Sequence, residues 1–324
     1  MQTIDILTFG DLIADILLPI PLLPIMPDQV QLAHGIYLEP GGMANFLIMA
    51  RRLGATVAPV GRFGDDLYGQ TIFEKLKAEG VDVSSIEMLA GKQTTLAFVF
   101  VSDAGEHVFL GVLGTSRMDA ESTQRTGALI AQSRGFYTNG YAFLDADPPQ
   151  LVILAMRMAR LAQVPVYFDP GPQIQHLPAD WFRDAIAETN TLFMTKDEAA
   201  FWTGKSNPRE AAVDLLSTGP ETVVLKLGSE GCLICSANEI LSVPAFPVAV
   251  CDTSGAGDAF DAAFITAIQK GLTFIEAGSL SNAVGAVAVT KMGAGTRLPQ
   301  SAEIFDLLKA NQMNIPFFQR NQNE

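Results

Sequence analysis

The chain has 324 residues, of which 48% are hydrophobic, enough to bury a large core and, at ordinary domain size, to fill about two domains. Only 21 Lys and Arg stand against 35 Asp and Glu, a formal charge of −14, which disfavours nucleic acid and anionic membrane as partners because both demand basic surface. Three cysteines suit no disulfide framework and point to a reducing, cytoplasmic compartment, and the scattered His34, His107 and His176 form no zinc or nucleophile constellation.

In chain order, residues 4–9 read as a first strand. The apolar run 12–26 follows without a basic leader, is interrupted by Asp15, and carries Pro19, Pro21 and Pro24, so it reads neither as a signal peptide nor as a membrane span. Further strands are expected at residues 56–60, 135–139, 165–168, 191–194 and 222–227, with helices between most of them. That alternation predicts an α/β fold with a parallel sheet covered on both faces. Residues 94–110 break the pattern: 95–101, the turn 102–105 and 106–110 read as a β-hairpin. Cys232-Leu233-Ile234-Cys235 has redox spacing but sits in an alternating apolar segment, and reads as an ordinary strand. Long helices at 257–270 and 274–291 close the chain.

The run Asp252-Thr253-Ser254-Gly255-Ala256-Gly257-Asp258-Ala259-Phe260 sets a bare glycine loop and a carboxylate directly before an apolar helix. Glycines let backbone N–H groups approach an anion, and the helix start adds its positive dipole end. Phosphoryl transfer wants this combination, with Gly255, Ala256 and Gly257 around the transferred group and Asp258 to take the proton of the accepting hydroxyl. The plainer reading is a helix start capped by Asp258. Asp11 and Asp15 lie just past the first strand, where open α/β sheets collect ligands, and suit sugar hydroxyls. Lys226, with Gly228 and Gly231 in the following turn, suits nucleotide phosphates, or is a solvated lysine beside a plain hairpin. Gly204-Lys205-Ser206 lacks the glycine spacing of a phosphate-binding P-loop, and Gly41-Gly42-Met43-Ala44-Asn45-Phe46 lacks the dinucleotide spacing.

The 252–260 run resembles the C-terminal signature of the ribokinase, or PfkB, family of carbohydrate kinases. Pro40-Gly41-Gly42-Met43-Ala44-Asn45, followed by Ala50-Arg51-Arg52-Leu53-Gly54-Ala55, is similar to the N-terminal signature, residues 61–69 to the next block, and 10–15 to the segment after the first strand. The matches run in order from about residue 4 to 299. The resemblance implies a ribokinase-like three-layer α/β/α sandwich: a central, mostly parallel sheet in a single domain over 1–324. A small β lid would come from about 12–38 and 94–112, with a strand near 31–38.

It also implies ATP-dependent phosphorylation of a hydroxyl on a sugar or small polyol, with Asp258 as general base and Gly255–Gly257 as anion hole. Asp15, Asp11, Gly41, Gly42 and Asn45 would hold the acceptor, with Phe98 and His107 reaching it from the lid. Lys226, Gly228, Gly231 and Asn282 would hold ATP, and Glu198 would hold Mg2+ through water. Thr195 stands where the family carries Asn, so retuned magnesium or phosphate dependence is expected. Asp252 matches a monovalent-cation site for K+, completed by backbone carbonyls around Ser254 and 289–293; hydrogen bonds within the loop are the alternative use. A nucleoside is the other acceptor class, and a catalytically silent sugar or nucleoside sensor the other functional class. Relatives suggest a homodimer through the lid.

Overall fold

In the computed structural model, which describes residues 3–313 and 315, thirteen strands fall into two sheets. They are β1 (Ile6–Phe9), β2 (Leu12–Ile20), β3 (Tyr37–Gly42), β4 (Val57–Gly64), β5 (Ile86–Leu89), β6 (Leu96–Ser102), β7 (His107–Val112), β8 (Phe136–Asn139), β9 (Val166–Asp169), β10 (Thr191–Thr195), β11 (Thr222–Lys226), β12 (Cys232–Ser236) and β13 (Ile240–Val243). The larger sheet runs β13-β12-β11-β10-β9-β8-β1-β4-β5; β11–β12 and β12–β13 pair antiparallel and every other neighbouring pair is parallel. All residues of β1, β8 and β9 are buried, as expected of parallel strands covered on both faces. One covering layer contains the helices Met43–Arg52, Ala256–Gln269 and Phe274–Ala288, whose Phe46, Phe264 and Leu280 belong to one core. The opposite layer contains Leu151–Leu161, Ala179–Ala187 and Pro208–Leu216, whose Val152, Phe182 and Leu215 belong to the other. Each such side chain contributes about 1.5–3 kcal/mol by leaving water.

The smaller sheet has the order β3-β2-β6-β7, with β2 and β6 parallel and the outer pairs antiparallel. Its hairpin falls where the alternation indicated, turning at Gly105 with φ of 81°. The apolar segment after residue 11 is the nine-residue β2. The strand expected near 31–38 is displaced to Tyr37–Gly42. Its register against β2, from Leu12↔Gly42 to Leu17↔Tyr37, runs through the glycine pair; residues 21–36 lie past the end of β2, with Val30 and Leu32 at 91% and 79% exposure. β12 is buried along Cys232–Cys235 instead of alternating, because it pairs on both sides inside the large sheet and is covered by helices. The helix expected to reach 291 stops at Ala288, and the carbonyl of Val289 accepts from the amides of Cys251 and Asp252. Among the described residues no helix is long and apolar enough to cross a membrane.

Candidate active site

The C-terminal ends of β1, β8, β9, β10 and β11 open into a cleft of about 1400 Å³, walled on the far side by residues of β2, β6 and β7. A single small ligand fills roughly 300–1,000 Å³, so this cleft has room for two.

At its centre is the start of the helix Ala256–Gln269. Gly255 precedes it with φ of 68°, and a Cβ there would lie 2.7 Å from the Cβ of Ala294, so glycine is needed for both conformation and space. Asp252 shapes the loop: its Oδ1 accepts from the amide (2.9 Å) and hydroxyl (2.8 Å) of Ser254, and its Oδ2 from the amide of Gly293 (2.7 Å). Asp258 lies in the first turn and does not cap the helix; Gly255 occupies the cap position. The carboxylate of Asp258 instead accepts from Asn45 Nδ2 at 3.1 Å, while Asn45 Oδ1 accepts from the amide of Gly295 at 2.8 Å, which fixes the amide's orientation. Burial pushes the Asp258 carboxyl up to about 6; the Asn45 bond opposes this, Asp169 adds to it and Lys226 opposes it.

Beside Asn45 lies a group of carboxylates. Asp15 sits on β2 against Gly41, where any Cβ would collide with its carboxylate; a Cβ on Gly42 would lie 2.5 Å from Asp11 Oδ2. The glycine pair is therefore the space that lets two acids approach the Met43–Arg52 helix start. Burial, then Asp258 and Glu39, push Asp15 to about 7; burial and the neighbouring Asp145 push Asp11 up. Asp145 itself is pushed to about 7 by burial, against Arg117 and Arg62.

On the other side of the helix start, Lys226 ends β11. Its Nζ lies 2.5 Å from Asp169 Oδ2 and 3.2 Å from Asp261 Oδ1. Burial works against the ammonium, but Asp169 and Asp261 outweigh it and raise its pKa. Thr195 and Glu198 form a reciprocal cap: Glu198 Oε2 accepts from the amide of Thr195 at 2.7 Å, and Thr195 Oγ1 from the amide of Glu198 at 3.2 Å. Asn282 donates to the carbonyls of Val243 and Pro244, both at 3.0 Å, and so holds the end of β13 from which Ala245, Phe246, Pro247 and Val248 continue along the cleft wall.

The cleft thus gathers Asp11, Asp15, Gly42, Asn45, Thr195, Glu198, Lys226, Gly228, Gly231, Asn282 and the Gly255–Asp258 turn. Gly41 backs Asp15, and Asp252 lies beneath the loop. Phe98 and His107 do not reach the cleft. On β6 the lining residues include Ala97 and Val99, so strand alternation turns Phe98 to the opposite face; His107 is exposed on β7, edge-on to Phe109 at 5.2 Å. Sequence reading missed Asp145, Asp169 and Asp261 as site residues. Asp261 carried a detectable signal, lying one helical turn after Asp258; Asp169 carried none beyond its position at a strand end, and Asp145, which ends the short helix Ala142–Asp145, carried none.

A ligand cleft across the C-terminal edge of a mostly parallel sheet, closed by a second small sheet and centred on an amide cradle with a carboxylate, defines a kinase-type α/β architecture. Residues 3–301 match the sequence profile described as pfkB family carbohydrate kinase, and the chain belongs to that family. It is an ATP-dependent carbohydrate kinase. It is 30% identical over 326 residues to fructokinase-2 of Zea mays, covering 94% of this chain and 95% of that one. An Escherichia coli chain named for ribokinase II, solved with ATP and Mg2+, superposes with a TM-score of 0.84 at 25% identity, covering 95% of this chain and 99% of that chain. The Burkholderia thailandensis nucleoside kinase in complex with inosine shares the fold, with a TM-score of 0.80 at 20% identity, covering 95% and 98%.

Proposed function

We propose that this cleft moves the γ-phosphoryl group of ATP onto a hydroxyl of an uncharged sugar or small polyol, with Asp258 as general base. The acceptor O–H proton passes to Asp258, the new O–P bond forms as the bond to the β-phosphate oxygen breaks, and ADP leaves. The amides of Gly255, Ala256 and Gly257, with the Lys226 ammonium, meet the charge on the transferred group. The observation that carries this reading is the part-buried Asp258 carboxylate, oriented by Asn45 in the first turn beyond the glycine cradle. A coupled ADP assay over sugars and nucleosides, run on the wild type and on Asp258→Asn, tests it.

Acceptor charge follows from the lining. Asp11, Asp15 and Asp145 face the acceptor end; the cations lining the cleft are Lys226, already paired with two acids, and Lys196, which lies 3.3 Å from Glu230. An anionic acceptor would find no unpaired cation in this lining and would sit against Asp11 and Asp15 wherever these are ionised. A nucleoside is the second reading, favoured by Phe109, Leu113 and Leu144 in the same wall, which offer apolar faces to a base.

Mg2+ favours one or two carboxylates together with phosphate oxygens and water, and Glu198, with Oε2 alone tied to Thr195, fits as such a ligand through water. No cluster of three or more His, Cys, Asp or Glu fit for a metal exists among the described residues, which suits an ion carried mainly by the nucleotide. Bound there, it would neutralise phosphate charge. For Asp252 the three hydrogen bonds favour a loop-holding role over K+ ligation; equal rates in potassium and in tetramethylammonium are expected, and potassium activation would reverse that assignment. A homodimer through the lid is supported by β7, exposed along all six residues, with Val108, Phe109, Leu110 and Val112 about half accessible. Cytoplasmic residence is supported by three cysteines that are free, two of them buried strand residues.

A further inference from the structure

We propose that Asp261, which never touches a ligand, is a positioning residue for phosphoryl transfer: together with Asp169 and Tyr137 it holds the Lys226 ammonium beneath the amide cradle. The inference rests on the kinase reading and deepens it.

The geometry is specific. Asp261 is completely buried, one helical turn after Asp258 on the same helix, and does not line the cleft. Its Oδ1 lies 3.2 Å from Lys226 Nζ, and its Oδ2 accepts from the Tyr137 hydroxyl at 3.2 Å. Tyr137 is fully buried and stacked on Phe46 with ring centroids 3.9 Å apart, so the far oxygen of Asp261 has a rigid anchor. Asp169 holds Nζ from β9 at 2.5 Å, and its other oxygen accepts from the Gly171 amide at 2.8 Å. Nζ is thus fixed by two acids from two different elements, each oriented in turn by a further donor.

Where Nζ is held matters. A Cβ built on Gly257, the last residue of the cradle, would lie 3.4 Å from it, so the ammonium sits against the turn whose amides would meet the transferred group. A lysine side chain carries about 2 kcal/mol of rotamer entropy and is flexible when free. Two buried acids remove that freedom before any ligand arrives, which is the arrangement electrostatic catalysis requires. Burying this acid–lysine group costs desolvation, and well-packed hydrophobic residues replacing the whole group would often hold the fold as well or better, so stability alone does not explain it. Neither Asp261 nor Tyr137 contacts the cleft space, so a direct ligand role does not explain them.

A double-mutant cycle separates positioning from plain structural support. Lys226→Met is expected to lower kcat about 10²-fold or more, as for removal of one transition-state donor. Asp261→Asn should lower kcat about tenfold, with acceptor KM changed less than about threefold. If Asp261 acts through Lys226, it should cost almost nothing further in the Lys226→Met background. An equal factor in both backgrounds, or no loss with Lys226 present, overturns the proposal. The ratio of ATP to ADP affinity, measured by calorimetry on the same four proteins, needs no turnover. It should fall in both single variants without falling further in the double variant. A wild type that binds ATP but phosphorylates no acceptor defeats the kinase reading, and the affinity cycle still decides the positioning claim. Should Asp261→Asn not fold, Tyr137→Phe, which removes only the hydroxyl behind Asp261, takes its place in the cycle with a smaller effect of the same pattern.

Discussion

Replacing Asp258 by Asn should make the protein markedly slower and, above pH 6, more stable. Asn keeps the size of the side chain and an oxygen that can accept from Asn45 Nδ2, so the helix start and the acceptor pocket should persist. The loss is that of a proton acceptor, worth typically about 10²–10⁴ in turnover, or about 3–5 kcal/mol of barrier. Stability moves the other way. Burial raises the Asp258 carboxyl from 3.8 to about 6, so the folded state holds its proton more tightly than the unfolded chain. The resulting stabilisation is complete below pH 3.8 and is lost as pH climbs through 6, a loss of about 3 kcal/mol for that displacement. A neutral Asn escapes this loss, so the melting temperature of the variant should exceed that of the wild type at pH 7.5 and the gain should vanish toward pH 4. The same group governs activity: wild-type kcat/KM should fall about tenfold per pH unit below 6 as the base takes up a proton, and the residual activity of the variant should lack this limb. The measurements are an ADP-coupled assay at saturating ATP, acceptor affinity by calorimetry, and thermal unfolding across pH. Near-normal turnover with an unchanged acid limb would refute the assignment of Asp258. Intact turnover with raised stability would mean a buried acid retained for something other than proton transfer.

Sugar acids and sugar phosphates should be turned over at least about tenfold less efficiently than their uncharged counterparts, because Asp11, Asp15 and Asp145 confront them without a free cation; a preference for anions in a matched substrate panel would contradict this. Gly42→Ala should raise the acceptor KM about tenfold or more and leave ATP affinity within about twofold, since its φ of 58° and the 2.5 Å approach to Asp11 both penalise a methyl group; steady-state kinetics in each substrate checks it. Thr195→Ala should cost about 1 kcal/mol of stability by removing the helix cap, read by chemical denaturation. Thr195→Asn should keep the cap while shifting the magnesium concentration for half-maximal rate; an unchanged magnesium titration would show that Thr195 has no part in that dependence.

The catalytic turn was legible because its parts are contiguous. Gly255, Ala256, Gly257 and Asp258 occupy one stretch of backbone, and local geometry alone makes them a cradle with a base. Asp11 and Asp15 were legible for a related reason, since the end of a first strand in an alternating α/β chain is a known address. The glycine pair 41–42 was recognised by resemblance, but its purpose, making room for the carboxylates of Asp15 and Asp11, appears only when β2 and β3 are paired. Phe98 was misplaced because composition identifies a strand without giving its phase against a cleft, and one residue of register exchanges the two faces; His107 shares the face of Phe109 but lies at the outer end of β7, beyond the lining residues, a distance that spacing does not give.

What the sequence by itself determined is the order of strands and helices, the anion-binding turn and the scarcity of basic residues, all of which depend on neighbours in the chain or on totals. What only the tertiary structure decided is which charges meet. Lys226, Asp169 and Asp261 come from two strands and a helix, and a lysine at a strand end reads as solvated until two buried acids are found within 3.2 Å of it. Proton affinities at Asp15, Asp145 and Asp258 likewise arise from burial and from acids brought near by folding, and no spacing along a chain records how much water a carboxylate has lost.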